Sequence, residues 1–195
     1  MERAVMISIR PEWCEKIANE WKTIEVRKTK PYLETPFKCY IYCTKDVKDP
    51  DRLWVLRKKI RQEHDGLAAV CANFDGQPPD CSIGNGKVVA EFTCDVILPI
   101  QIECSSPAAL EAGIEVPGTC LTDREILEYL GNGKQGFCWH ISNLQIYDTP
   151  KPINSFTCIR EGIDGMGWWP MYRAPQSWGY VITEGDDADE PRRNA

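Results

Sequence analysis

Residues 5 to 28 constrain this chain more than any other stretch. The run Val5-Met-Ile-Ser-Ile-Arg-Pro-Glu-Trp-Cys-Glu-Lys-Ile-Ala-Asn-Glu-Trp-Lys-Thr-Ile-Glu-Val-Arg-Lys28 reads as a strand, a short helix and a second strand. Val5, Ile7 and Ile9 alternate with Met6, Ser8 and Arg10, the period of two that marks a half-buried strand. Pro11 suits the first turn of a helix, where a missing N–H costs nothing. Trp13 or Cys14, Ile17 and Trp21 recur at helical spacing, which lets the helix lie on a sheet. The second strand runs from Lys22 to Lys28, with Ile24 and Val26 on one face and Thr23, Glu25 and Arg27 on the other. The polar residues therefore fall at the junctions. Ser8, Arg10, Lys22, Glu25 and Arg27 are expected to gather at one mouth of a small barrel.

Further along, Phe37 to Thr44 is dominated by aromatic and β-branched residues and is expected as a strand. Cys39, Ile41 and Cys43 share one face of it, opposite Tyr40 and Tyr42. Cys39 and Cys43 stand roughly 13 Å apart at four strand steps, too far to chelate one metal together, so they read as core. Residues 50 to 64 carry an apolar stripe of Leu53, Leu56 and Ile60 among basic residues, with Asp51 as N-cap, and predict a helix. From Asn73 to Gly86 the composition is that of a loop. Helix and loop together read as an insertion at about 45 to 86. Lys87 to Ile97 is a strand, in which Glu91 lies between Ala90 and Phe92 and needs either solvent or a cation such as Arg27 or Lys22.

Residues 99 to 118 read as a connection, with a turn of helix at Pro107 to Ala112. Thr122-Asp-Arg-Glu125 is a capping-box pattern ahead of Ile126, Leu127 and Leu130, with Gly131 as the stop. Phe137 to Ile146 reads as one strand. Cys138 and His140 share a face there, but without a second Cys or His pair nearby the histidine reads as packed or hydrogen-bonded and no metal is expected. Residues 148 to 175, rich in Pro, Gly and Trp, read as irregular; Trp168 and Trp169 would stack on a base or lie as a lid over the barrel. Gln176 to Ile182 supplies the closing strand, with Trp178 packing across the opening helix.

Charge narrows the function classes. The net charge of −6 argues against a generic polyanion binder, yet it is unevenly placed. Residues 1 to 65 carry a balance of +4 and residues 66 to 195 a balance of −10. Any nucleic-acid surface should be local and belong to the N-terminal half, or the basic face is simply solvated. The segment from Glu184 to Ala195 reads as an acidic disordered tail after a single domain over residues 1 to 183. Ten scattered cysteines with no C-x-x-C pair and no export signal read as small buried apolar residues, and with no bilayer-length apolar run the expectation is a cytoplasmic protein without a membrane partner.

Several blocks resemble one family. Ser8-Ile-Arg-Pro-Glu-Trp13 followed by Lys22-Thr-Ile-Glu-Val-Arg27 is similar to the ASCH domain, one of the PUA-like β-barrels. Phe37 to Thr44, Gly86 to Phe92, Trp139-His-Ile-Ser142 and Pro175-Gln-Ser-Trp178 resemble later blocks of its bacterial and phage members, in order. The resemblance implies an α+β fold, a PUA-like mixed β-barrel with flanking helices, whose cleft binds nucleic acid or a nucleoside.

Read for chemistry, Arg10, Lys22, Arg27 and Lys28 offer donors to phosphate. Trp13, Tyr42, Trp139 and Trp178 offer stacking faces, while Ser8, Glu25 and Gln176 can read a base edge, with Thr23 and Glu91 beside them. The expected ligand is RNA, another single-stranded nucleic acid or a modified nucleoside, and no cofactor is expected.

The resemblance also implies an alternative. Small bacterial ASCH proteins hydrolyse the acyl amide of N4-acetylcytidine with the lysine of a Lys-Thr-Ile motif, matched here by Lys22. Their catalytic threonine three residues on is replaced by Glu25. A lysine acts as base or nucleophile only when it can shed its proton, and a neighbouring carboxylate opposes that. Glu25 or Glu91 would then take the base role instead, with Lys22 and Glu25 as the catalytic candidates if the protein is an enzyme. Metal-independent ribonuclease activity is a second enzymatic reading, and a protein-interaction module a third.

Overall fold

In a computed structural model the described residues are 2–45, 55–57, 81–104, 113–162 and 165–183. The chain runs β1 (Glu2–Ile9), α1 (Pro11–Ala18), β2 (Ile24–Arg27), β3 (Phe37–Cys43), β4 (Val55–Arg57), β5 (Cys81–Ile83), β6 (Lys87–Cys94), β7 (Ile97–Gln101), β8 (Glu115–Val116), β9 (Leu121–Thr122), α2 (Asp123–Leu130), β10 (Gln135–His140), β11 (Ser142–Lys151), β12 (Thr157–Gly162), β13 (Gly165–Pro170) and β14 (Trp178–Thr183). A single 3-10 turn, Ile153–Ser155, precedes β12. The class is α+β.

Two sheets carry the architecture. One is seven-stranded in the order β11-β6-β3-β1-β14-β12-β13, the other three-stranded in the order β2-β10-β7. The large sheet is mixed: β1 pairs parallel with β3 and antiparallel with β14. Among the described residues the hydrogen-bonded ladder does not close on itself, so the expected barrel is an open pair of facing sheets.

The main core lies between those sheets. Val5, Ile7 and Ile9 of β1, Cys39, Ile41 and Cys43 of β3, and Cys14 and Ile17 of α1 pack there with Trp139 of β10. The opposite face of β1 is covered as well: Ala4 and Met6 pack with Tyr40, Phe156 and Val181. β1 is thus buried on both faces rather than half-buried, as a central strand is. Its covered second face gives out at Ser8, and the polar site begins there. A third cluster seats α2 through Ile126 and Leu130 on Val26. The capping box forms as expected, Thr122 and Glu125 exchanging both bonds, and α2 stops at Gly131.

Several sequence expectations change. α1 ends at Ala18, and Glu20 takes φ +60°, so Trp21 leaves the apolar stripe and is 66% exposed. The second strand begins at Ile24, leaving Lys22 and Thr23 in the turn before it. Within the 50 to 64 stretch, Val55–Arg57 is a strand paired with Cys81–Ile83, itself inside the expected loop. Pairing between segments overrides the local helical spacing there. The rest of that helix, the turn of helix at 107 to 112 and the acidic tail fall outside the described residues.

The expected strand from Phe137 to Ile146 breaks at Ile141 into β10 and β11, which belong to different sheets. Lys87 to Ile97 likewise divides: β6 ends at Cys94 and β7 starts at Ile97. The stretch from 148 to 175 is not irregular, because β12 and β13 pair as a hairpin on the sheet edge. Cys14, Cys39, Cys43, Cys94 and Cys158 are buried, as small apolar residues are. Among the described residues no helix is long and apolar enough to cross a membrane.

Candidate functional site

β1 and β2 do not share a sheet, yet their ends meet. The backbone N–H of Ser8 donates to Ser177 O at 2.9 Å, and the Ser8 hydroxyl donates to Pro175 O at 2.6 Å. These bonds draw the 175–177 segment alongside the end of β1. From the other sheet, Arg27 reaches across and donates through Nη2 to Ser8 O at 2.8 Å. Its Nη1 lies 3.3 Å from Ser177 Oγ. One guanidinium therefore ties the two sheets together in the lining of a cavity of about 780 Å³.

The cavity floor is a line of three charges. Glu25 places Oε2 3.3 Å from Lys22 Nζ and Oε1 2.9 Å from Arg27 Nη2. Lys22 also donates to Thr119 O at 2.7 Å. That carbonyl is presented by a tight turn in which Gly118 adopts φ +75° and accepts the N–H groups of both Thr23 and Ile24 at 2.9 Å. A Cβ on Gly118 would stand 2.7 Å from Thr23 Oγ1, so glycine is needed for both conformation and space. All three charged residues are withdrawn from water: Lys22 is 3% exposed, Glu25 and Arg27 8% each. Charges so buried persist only when paired and hydrogen-bonded.

The walls come from four directions. Trp13 of α1 covers the lysine, its ring centroid 5.2 Å from Lys22 Nζ. Arg10 and Lys28 stand exposed at the mouth, and Gln176 closes one side. α2 forms the opposite wall with Glu125, Glu128 and Tyr129, and Lys28 Nζ lies 5.1 Å from the Tyr129 ring. Ser8, Arg10, Trp13, Lys22, Glu25, Arg27, Lys28 and Gln176 thus converge as the sequence suggests.

Other predicted site residues lie elsewhere. Trp139 is fully buried in the core, edge-on to Phe37 at 6.1 Å, because β10 turns that side chain between the sheets. Tyr42 packs on the outer face of the seven-stranded sheet. Trp178 packs against the core and donates from Nε1 to Thr29 Oγ1 at 3.0 Å, so it buttresses the rim without lining the cavity. Thr23 belongs to the Gly118 turn. Glu91 meets neither Arg27 nor Lys22: Lys38 Nζ is 3.1 Å from Oε1, and the Tyr147 hydroxyl donates to Oε2 at 2.6 Å. Partial burial alone would raise that carboxyl, but Tyr147 and Lys38 outweigh it and hold it below the usual carboxylate range. Trp168 and Trp169 are exposed on β13, away from the cavity lining.

His140 is hydrogen-bonded, its Nδ1 2.7 Å from Asp95 Oδ1. Among the described residues no three His, Cys, Asp or Glu side chains come together as a metal site. Sequence reasoning missed Thr119, Ser177 and the whole α2 wall. The capping box located that helix without saying which way it faces; only the packing of Ile126 and Leu130 on Val26 turns it toward the cavity.

Neither a family model nor a curated protein matches the sequence. Solved structures do. ASCH from Zymomonas mobilis superposes with a TM-score of 0.52 at 13% identity, covering 92% of this chain and 87% of that one. A tyrosine-to-phenylalanine variant of the same protein gives 0.51 at 13% identity, with 92% and 90% covered. The chain has the ASCH fold. At this identity the ASCH likeness concerns architecture alone, and it spans nearly the whole length of both chains.

Proposed function

We propose that the cavity binds one unit of a single-stranded nucleic acid, RNA in the first place, or a modified nucleoside. One observation carries the reading: a pre-formed Lys22–Glu25–Arg27 line lies beside the Trp13 ring in a hollow of about 780 Å³. Small-molecule and nucleotide sites have this size, with few polar groups fixed among apolar walls. Trp13 and Tyr129 supply faces for a base, Arg10 and Lys28 supply charge for the backbone, and Ser8 and Gln176 supply polar atoms for a base edge. The likeness to ASCH proteins supports a PUA-like binding domain.

Titrating the protein with short single-stranded RNA and with nucleosides, followed by tryptophan fluorescence and calorimetry, tests the reading. Saturable binding is expected. Trp13→Ala should weaken it by about tenfold or more, since stacking of one base contributes about 1–3 kcal/mol. Arg10→Ala with Lys28→Ala should flatten the salt dependence by about 0.7 for each phosphate no longer neutralised. Unchanged binding in both variants removes the cavity from the function. No binding of any RNA or nucleoside removes the function itself, leaving the interaction module.

A second reading, hydrolysis of an N4-acylated cytidine, draws on the burial of Lys22 within the cavity lining. Lys22 Nζ already serves Thr119 O and the Glu25 carboxylate, so its donors are engaged before any substrate enters, and this reading stands second. Release of acetate from N4-acetylcytidine, abolished in Lys22→Ala, would reverse that preference. Cleavage of RNA in the presence of a chelator, again lost in Lys22→Ala, would favour a ribonuclease.

A further inference from the structure

The floor of the cavity holds one more cation than carboxylate. Lys22 and Arg27 flank a single Glu25, and both oxygens of that carboxylate are engaged. The full lining repeats the imbalance, with Arg10, Lys22, Arg27 and Lys28 against Glu25, Glu125 and Glu128. The last two carboxylates are already counted in that balance, and each is held by a partner on α2 or its cap. Glu125 Oε2 accepts from Thr122 N at 2.8 Å and Thr122 Oγ1 at 3.0 Å in the capping box. Glu128 Oε1 accepts from Arg124 Nε at 3.1 Å.

A second, independent observation concerns the guanidinium. Arg27 is 8% exposed and lines the cavity; its Nε–H is sealed within the protein, so a ligand would meet the terminal nitrogens of the guanidinium. Its Nη1 has only the longer approaches to Ser177, at 3.3 and 3.5 Å. Two buried cations sharing one carboxylate are costly to hold without a further anionic acceptor. Guanidinium and ammonium groups together are suited to phosphate oxygens.

We infer that the floor is a subsite for a terminal phosphate, the monoester of a mononucleotide or of a phosphorylated strand end, and that the ligand enters phosphate first with its base against Trp13. This rests on the nucleotide-binding reading of the cavity and orients the ligand within it. Lys22 and Arg27 are 3% and 8% exposed, so the floor presents little surface to the cavity, which suits a terminal phosphate better than one with strand on both sides. A terminal monoester has only one substituent to accommodate.

Calorimetry with the full chain tests the subsite, using nucleosides, their 5′- and 3′-monophosphates, inorganic phosphate, and one RNA oligonucleotide with either phosphorylated or hydroxyl ends. A monophosphate should bind about tenfold or more tighter than its nucleoside, a difference of about 1.4 kcal/mol or more. Inorganic phosphate should compete with it. Glu25→Gln raises the floor charge by one and should tighten the monophosphate several-fold while leaving the nucleoside unchanged or weaker. Lys22→Gln should do the reverse and provides the measurement if Glu25→Gln fails to fold. Mononucleotide binding alone identifies a small-molecule subsite, and preference for the phosphorylated oligonucleotide identifies a strand end; both support the inference. Equal affinity for nucleoside and monophosphate, together with equal affinity for the two forms of the oligonucleotide, overturns it and leaves nucleoside or RNA binding standing. Failure of every nucleoside, nucleotide and RNA to bind takes down both.

Discussion

Glu25 and Glu91 are both strand carboxylates with a lysine ammonium within reach, at 3.3 Å and 3.1 Å. Their surroundings are opposite. Glu25 stands between two cations that are buried with it, so the group as a whole keeps a positive charge in the dry. Glu91 has Lys38 in contact, itself about half exposed, a tyrosine hydroxyl, and Lys151 near enough to act on its charge, so water shares in the solvation of the group. The first arrangement is costly to maintain and sits in a cavity; the second is inexpensive and lies on the outer face of the large sheet. Buried ion pairs contribute little net stability while costing much to break. Retention of a buried, over-charged one suits a site that awaits an anion, whereas the more exposed one suits a structural tie.

The largest expected effect breaks the first arrangement. Arg27→Ala removes the tie from β2 to Ser8 O and the approach to Ser177, and it leaves Glu25 with one cation in place of two. Urea unfolding should show a loss of about 3 kcal/mol or more, the cost of disrupting a buried charge network. Lys38→Ala, measured the same way, should lose about 1 kcal/mol or less, because an exposed partner contributes little. Equal losses in the two variants would abolish the distinction between the two glutamates.

A smaller effect sharpens the description of Glu91. Tyr147→Phe removes the hydrogen bond to its carboxylate and should cost about 1–2 kcal/mol at neutral pH. Despite partial burial, which pushes the other way, Tyr147 and Lys38 hold the folded-state carboxyl below its ordinary value. A group lowered on folding stabilises above its unfolded pKa, about 4.3 for a glutamate, and that stabilisation is lost as pH falls through the folded value. The gap between wild type and Tyr147→Phe should therefore narrow below about pH 4. A gap that stays constant down to pH 3 would show that the hydroxyl contributes through packing alone.

These contrasts also mark what the sequence discloses. The alternation of Ile24 and Val26 with Glu25 and Arg27 is local, and it correctly aims the two charges together. Ser8 and Arg10 follow for the same reason, from the end of β1. What local patterning cannot state is which strands become neighbours. Glu91 has the same sequence environment as a cleft carboxylate, and only the β6 to β3 and β11 register gives it Lys38 and Tyr147. Trp139 shares an aromatic character with Trp13, but the packing of one sheet on the other buries the first and leaves the second on the cavity wall. Thr119 is invisible because its contribution is a carbonyl, which any residue carries. The β12–β13 hairpin hides behind glycine and proline, since its pairing along an edge tolerates residues that an isolated strand would not.

The smallest effect concerns a third carboxylate. Asp95, between β6 and β7, accepts His140 Nδ1 at 2.7 Å, and both side chains are more than two-fifths exposed. The hydrogen bond from His140 is the main reason its carboxyl lies below the ordinary range. If burial and charge excess, rather than mere pairing, separate Glu25 from Glu91, this exposed pair should matter least. Asp95→Asn should leave stability within about 0.5 kcal/mol of wild type. In carboxyl titrations followed by NMR, His140→Ala should raise the Asp95 midpoint toward the ordinary range of an aspartate, with little change in unfolding. Its position argues the other way, because His140 and Asp95 lie where the chain passes between the two sheets. A loss of about 2 kcal/mol or more in Asp95→Asn would mean that location at a sheet junction outweighs exposure. Arg27, which also joins the sheets, would then owe its effect to bridging and not to the buried charge it carries.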